Sequence, residues 1–126
     1  LYNLRNVTYL GKVDDMREVY AVTRILLVPS IWPEPFGRVC VEAMANGIPC
    51  IASNVGGIKE AVGDAGILID NPFDLNSWVK AIELLDDNGT YRFFSHKSRE
   101  VMKKFNLDEG VNRFLKILRL SFRNHL

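Results

Sequence analysis

From Arg38 to Asn46 the only polar residues are Arg38, Glu42 and Asn46, spaced i, i+4, i+8 among Val, Cys, Ala and Met. On a helix that spacing draws one narrow polar stripe on an otherwise buried cylinder. Its charges run against the helix dipole, with a cation in the first turn, and Arg before Glu is the weaker order of an i,i+4 pair. A group outside the helix is therefore expected to compensate, and an anionic ligand would do so. A phosphate at the amino end would receive backbone N–H groups near Gly37 and the Arg38 guanidinium. Glu42 lies about 7–8 Å further along the axis, at roughly 1.5 Å per residue. That offset suits a carboxylate accepting from a ribose diol, while Glu34 in the preceding loop could hold a hydroxylated group on the other side. A plain Arg38–Glu42 ion pair with Glu34 in solvent explains the same spacing, and the residues alone leave both readings open.

The elements that would position these groups alternate. Val7–Leu10, a β-branched and aromatic run closed by Gly11, reads as a strand. Asp14-Asp15 caps a helix over Met16–Val22. Ile25–Val28, stopped by Pro29, reads as a strand buried on both faces. A loop with Pro33 and Pro35 leads to a helix from Gly37 to about Asn46, ended by Gly47 with Pro49 blocking continuation. Pro49–Ser53 is a third strand, Gly57–Val62 a short helix and Gly66–Ile69 a fourth strand. Asp74 caps a helix bearing Leu75, Trp78, Val79, Ile82 and Leu85 on one face. Asn88-Gly89 breaks the chain before a helix at Tyr91–Phe105, and Leu107 to Phe122 carries a wide apolar stripe. The fold class expected is α/β, an open, Rossmann-like parallel sheet of about four strands with helices on both faces and a helical C-terminal end. In such sheets ligands bind at the carboxyl ends of strands, here at Ser30–Gly37 and Asn54–Gly57.

The 126 residues fit one domain that can bury a core unaided. Sixteen Lys+Arg against fifteen Asp+Glu leave a charge of +1 with no single-sign block, which argues against nucleic acid as a partner. Cys40 and Cys50, in apolar stretches without ligand-spaced partners, read as buried thiols of a reducing compartment. No run approaches a membrane span and no signal peptide opens the chain, so a cytoplasmic location is expected. The sequons at Asn6 and Asn88 read as chance matches. His96 and His125 are isolated, Glu60 reads as a first-turn acid and Trp32 as a packed loop anchor. Gly56-Gly57 allows either a close backbone approach to a ligand or a tight strand-to-helix turn.

Pro33-Glu34-Pro35-Phe36-Gly37-Arg38, Glu42-Ala43-Met44-Ala45-Asn46-Gly47-Ile48-Pro49 and Ser53-Asn54-Val55-Gly56-Gly57-Ile58-Lys59-Glu60 together resemble the E-x7-E region of retaining glycosyltransferases of the GT-B fold, most closely glycosyltransferase family 4. The resemblance runs from about Asn6 through Ile69 and less specifically over the final helices. It implies that residues 1–126 are a single, truncated C-terminal donor-binding domain for an NDP-sugar linked to uridine, guanosine or adenosine. It implies a catalytic role for Glu34 on the donor hexose and a ribose contact for Glu42. The backbone N–H groups of Phe36, Gly37, Arg38 and Val39 would meet hexose and diphosphate, beside the Gly56-Gly57 loop. The transfer implied is retaining and needs no metal or cofactor, in keeping with the absence of a D-x-D pair.

Two upstream strands, a basic diphosphate-gripping pair and the N-terminal acceptor domain have no counterpart here. Leu1–Asn6 reads as the tail of a preceding helix, and the chain starts at Leu1 rather than Met. A fragment of a longer enzyme, inactive alone and peripheral at a membrane only through its acceptor half, is expected. Its open sheet edge should promote self-association, which a strictly monomeric sedimentation profile at high concentration would contradict. The alternatives are a non-catalytic nucleotide- or sugar-binding module and another Rossmann-like enzyme such as a sugar-nucleotide epimerase. The latter lacks support because no G-x-G-x-x-G follows a strand.

Overall fold

A computed structural model describes residues 4–103, 105, 111 and 116. Their order is α1 (Met16–Val22), β1 (Leu26–Val28), α2 (Arg38–Ala45), β2 (Cys50–Ser53), α3 (Ile58–Val62), β3 (Ile67–Ile69), α4 (Leu75–Asp86) and α5 (Asn88–Lys103). The strands form one parallel sheet in the order β1-β2-β3. Leu26, Leu27 and Val28 stand opposite Cys50, Ile51 and Ala52, and Ile51, Ala52 and Ser53 opposite Ile67, Leu68 and Ile69.

The central strand β2 explains why the layers form. All four of its residues are buried, and successive side chains alternate between two cores, as the pleat requires. Cys50 and Ala52 join Val28, Cys40, Met44, Ile58 and Val62 on the side covered by α2 and α3. Ile51 joins Ile69, Trp78, Ala81 and Leu85 on the side covered by α4. A smaller cluster of Tyr20, Ala43 and Ile48 fixes α1 against α2. The Asp15 carboxylate caps α1 by accepting from the Arg17 N–H, and Asp74 caps α4 by accepting from Asn76. Gly47, at φ +72°, turns the chain after α2.

Three expectations need correction. Val7–Leu10 is not a strand: its only backbone bond among the described residues is Val7 N–H to Leu4 O, and Val7, Tyr9 and Leu10 are exposed. A β-branched run becomes a strand only where another strand offers a ladder, and among the described residues none lies beside it, so the described sheet has three strands rather than four. Second, β1 is covered on one face only. Leu27, opposite Ile51, is 44% exposed because α4 packs over β2 and β3. Third, Asn88-Gly89 does not break the chain before α5 but begins it. The Asp87 carboxylate accepts from the Thr90 N–H and its carbonyl from the Tyr91 N–H, so the break falls at Asp87. The expected last helix, Leu107 to Phe122, lies outside the described residues apart from Val111 and Lys116.

Ile51 reaches the α4 core from the middle of the sheet, so Ile51→Ala should cost about 2–5 kcal/mol in chemical denaturation. Leu27→Ala, on the uncovered side of β1, should cost less than about 1.5 kcal/mol, since little apolar surface is lost.

Candidate active site

The loop of residues 30–37 leaves the carboxyl end of β1 and the loop of residues 54–57 leaves that of β2, where an open parallel sheet offers its binding crevice. They are locked together through backbone. The Gly57 N–H donates to the Glu34 carbonyl at 2.7 Å. A Cβ on Gly57 would collide with the Pro35 carbonyl oxygen and lie 3.0 Å from Phe36 Cα, and one on Gly56 would collide with the Glu34 carbonyl oxygen and lie 2.7 Å from Glu34 N. The close approach allowed by the glycine pair is thus to the protein's own acid-bearing loop. Gly57 has an ordinary φ of −81°, so its need for glycine is steric; Gly56, at φ +54°, needs it on both counts.

Each acid of the region is held by a hydroxyl. The Ser30 hydroxyl donates to Glu34 Oε1, and the Tyr20 hydroxyl donates to Glu42 Oε2 at 2.9 Å. Glu34 is half-buried, whereas 43% of the Glu42 side chain remains accessible. Arg38 Nε stands 3.7 Å from Glu42 Oε1, a loose pair whose cation is 88% exposed and free to turn toward another anion. Asn46 completes the stripe by donating from its side chain to the Glu42 carbonyl. From outside the helix, the partner described for Glu42 is thus Tyr20. Burial first, then the hydrogen bond to Glu42, pushes the phenol up to about 12.

The amino end of α2 is open. Gly37, at φ +76°, places its carbonyl for the first turn and supplies no side-chain cap. Among the described residues the first bond into the helix comes from the Cys40 N–H, and none is made by the N–H of Phe36, Gly37, Arg38 or Val39. Gly37 itself is buried against Ile58, where a Cβ would stand 3.1 Å from Ile58 Cγ1. The Phe36 ring packs edge-on against Phe105, with centroids 5.9 Å apart, and Val39 packs against the α2–α3 core. Four donors, an exposed guanidinium and two carboxylates can bind a molecule with an anionic centre and hydroxyl groups on either side.

Other candidates lie elsewhere. Cys40 and Cys50 are free, fully buried and hydrogen-bonded to each other, which holds Cys40 below and Cys50 above the usual thiol range. Their complete burial agrees with buried thiols rather than a nucleophile. Trp32 is 75% exposed, so it is not the packed anchor expected; the loop is held instead by its backbone bond to Gly57. Glu60 is an exposed acid in the first turn of α3. Among the described residues no three His, Cys, Asp or Glu side chains form a group able to hold a metal, and no helix is long and apolar enough to cross a membrane. Residue spacing did not single out Ser30 or Tyr20. Ser30 lay within the flagged loop, but Tyr20 is 22 positions from Glu42 and carries no local signal.

Comparison with known proteins adds context to this geometry. Residues 1–121 match the family described as glycosyl transferases group 1. The chain is 37% identical over 111 residues to N-acetyl-alpha-D-glucosaminyl L-malate synthase of Bacillus anthracis, covering 86% of this chain and 29% of that protein. It is 31% identical over 115 residues to D-inositol 3-phosphate glycosyltransferase of Salinispora tropica, covering 89% and 23% respectively. Sucrose-phosphate synthase from Thermosynechococcus elongatus superposes with a TM-score of 0.78 at 32% identity, over 93% of this chain and 30% of the other. Anabaena HepE, in complex with UDP and glucose, superposes at 0.72 over 89% and 32%, with 24% identity, a likeness of fold. The chain thus spans less than a third of the length of these relatives.

Gly57→Ala should displace the loop of residues 30–37 and lower stability by about 1–3 kcal/mol, read by urea unfolding and by amide shifts at Glu34 and Phe36. Gly63→Ala has open space around its Cβ but φ +56° and ψ −133°, outside the left-handed helical region, and should cost about 1–3 kcal/mol from backbone strain alone without moving those amides.

Proposed function

The chain belongs to the glycosyl transferases group 1 family, and from that membership we propose that it is the donor-binding portion of a retaining hexosyltransferase that uses a nucleotide sugar. The carrying observation is the pair of acids, each held by a protein hydroxyl, flanking a helix amino end without a side-chain cap whose N–H groups at residues 36–39 make no bond among the described residues. The N–H groups of Phe36, Gly37, Arg38 and Val39 and the Arg38 guanidinium receive the diphosphate. Glu42 accepts from the ribose, and Glu34 accepts from the hexose hydroxyls and is the catalytic residue of this half-site. The Gly56-Gly57 loop acts through Glu34 by fixing the loop that carries it.

In this reading the bond from the anomeric carbon to the diphosphate oxygen breaks while an acceptor hydroxyl attacks the same face. The acceptor proton passes to the departing diphosphate oxygen. Hydrogen-bond donors aimed at the leaving group stabilise the charge that develops there. No metal is assigned to the reaction, a reading that rests on the absence of a D-x-D pair and on the donors at α2. Base, sugar and acceptor choice fall to contacts beyond this motif. The residues described supply half of a donor site, so this stretch alone is read as inactive, and turnover of an NDP-sugar by it would overturn that reading.

A non-catalytic nucleotide-binding module would keep the diphosphate and ribose contacts without a need for Glu34. Glu42→Ala should weaken NDP binding by about 1–3 kcal/mol, the scale of a lost charged hydrogen bond, measured by calorimetry on the protein in its natural extent. Glu34→Gln should leave NDP binding within about threefold while abolishing transfer. Unchanged affinity in Glu42→Ala would refute the ribose assignment, and transfer surviving Glu34→Gln would refute the catalytic one.

A further inference from the structure

The Tyr20–Glu42 contact joins two elements that have no other polar link among the bonds described. Tyr20 is 8% exposed, with its ring packed among Ala43, Ile48 and Leu26. A ring clamped in this way leaves its hydroxyl one narrow arc in which to point, and the Glu42 carboxylate occupies it. Of the two carboxylate oxygens, Oε2 accepts from Tyr20, and Oε1 faces only the loosely paired, exposed Arg38. The accessible acid is thus fixed by a buried donor on one oxygen and left open on the other.

We propose that Tyr20 is a positioning residue that aims the free oxygen of Glu42 at the ribose hydroxyls, and so sets the preference of the site for a ribonucleotide over one lacking those hydroxyls. The inference rests on the ribose reading of Glu42 and deepens it. A carboxylate held in place loses little freedom on meeting a hydroxyl, and it is left without that partner when the hydroxyl is missing. Without the Tyr20 hydroxyl the side chain can turn toward water, and it gains less from the ribose. Because the ring carries the packing, Tyr20→Phe removes the donor and keeps the core.

The test compares UDP, GDP and ADP with their 2′,3′-dideoxy counterparts on wild type, Tyr20→Phe and Glu42→Gln, in the protein's natural extent. Wild type should favour the ribonucleotide of the base it binds. Tyr20→Phe should narrow that preference by about three- to tenfold, the range of one hydrogen bond, through weaker ribonucleotide binding alone. An unchanged preference, or equal weakening of both nucleotides, would overturn the proposal while leaving the ribose contact in place. A preference that survives Glu42→Gln, or a wild type that binds none of these nucleotides, would instead defeat the functional reading. Should Tyr20→Phe fold poorly, Tyr20 can be followed by ring-carbon NMR. Its titration near 12 should fall in Glu42→Gln yet stay above 10, because burial is the larger cause; no change would show that the hydroxyl does not hold Glu42.

Discussion

One backbone contact organises the candidate site: the loop after β2 presses onto the loop after β1, with Gly57 N–H bonded to the Glu34 carbonyl. Neither Gly56 nor Gly57 has room for a Cβ. The acid-bearing loop carries two prolines and an exposed Trp32, and has no strand or helix of its own. Pinning it at Glu34 fixes the entry into α2 three residues later, and with it the direction in which the open amides point. Parallel strands make this economical, because both loops emerge at the carboxyl end of the sheet.

The two acids follow a common physical pattern. A carboxylate near apolar surroundings is stable when its oxygens have donors. Here each has one hydroxyl donor among the described residues, Ser30 for Glu34 and Tyr20 for Glu42, and Glu42 Oε1 has the loose Arg38 pair besides. One oxygen in each is oriented, and the other remains available. The charge order on α2 opposes the dipole, and Tyr20 is part of what tolerates it. Preorganisation of this kind lowers the cost of ordering side chains when a hydroxylated ligand arrives.

Much of this was legible in the residue order, for local reasons. Asp15, Asp74, Gly37 and Gly47 mark helix ends by their own chemistry, and α1 spans Met16–Val22 as periodicity implies. The stripe of Arg38, Glu42 and Asn46 marked a candidate site, although the residues alone allowed a plain ion pair as well, and that loose pair is present. What was not legible depends on partners distant in the chain. Val7–Leu10 has strand composition but no neighbouring strand among the described residues, and Leu27 looks like core until α4 is found over β2 and β3. Asn88-Gly89 looks like a break unless Asp87 is seen as the cap of α5. Tyr20 and the fit of Gly56-Gly57 onto Glu34 became visible only when separate elements were brought together.

An open amino end of α2 between two flanking acids is suited to a nucleoside diphosphate. Titrating the isotopically labelled chain with UDP, GDP and ADP, and following its amide resonances, tests this most directly. Saturable shifts centred on Phe36 to Glu42 are expected for one of the three, extending to Gly56 and Gly57 through the contact with Glu34. Saturable shifts confined to another part of the chain would contradict it.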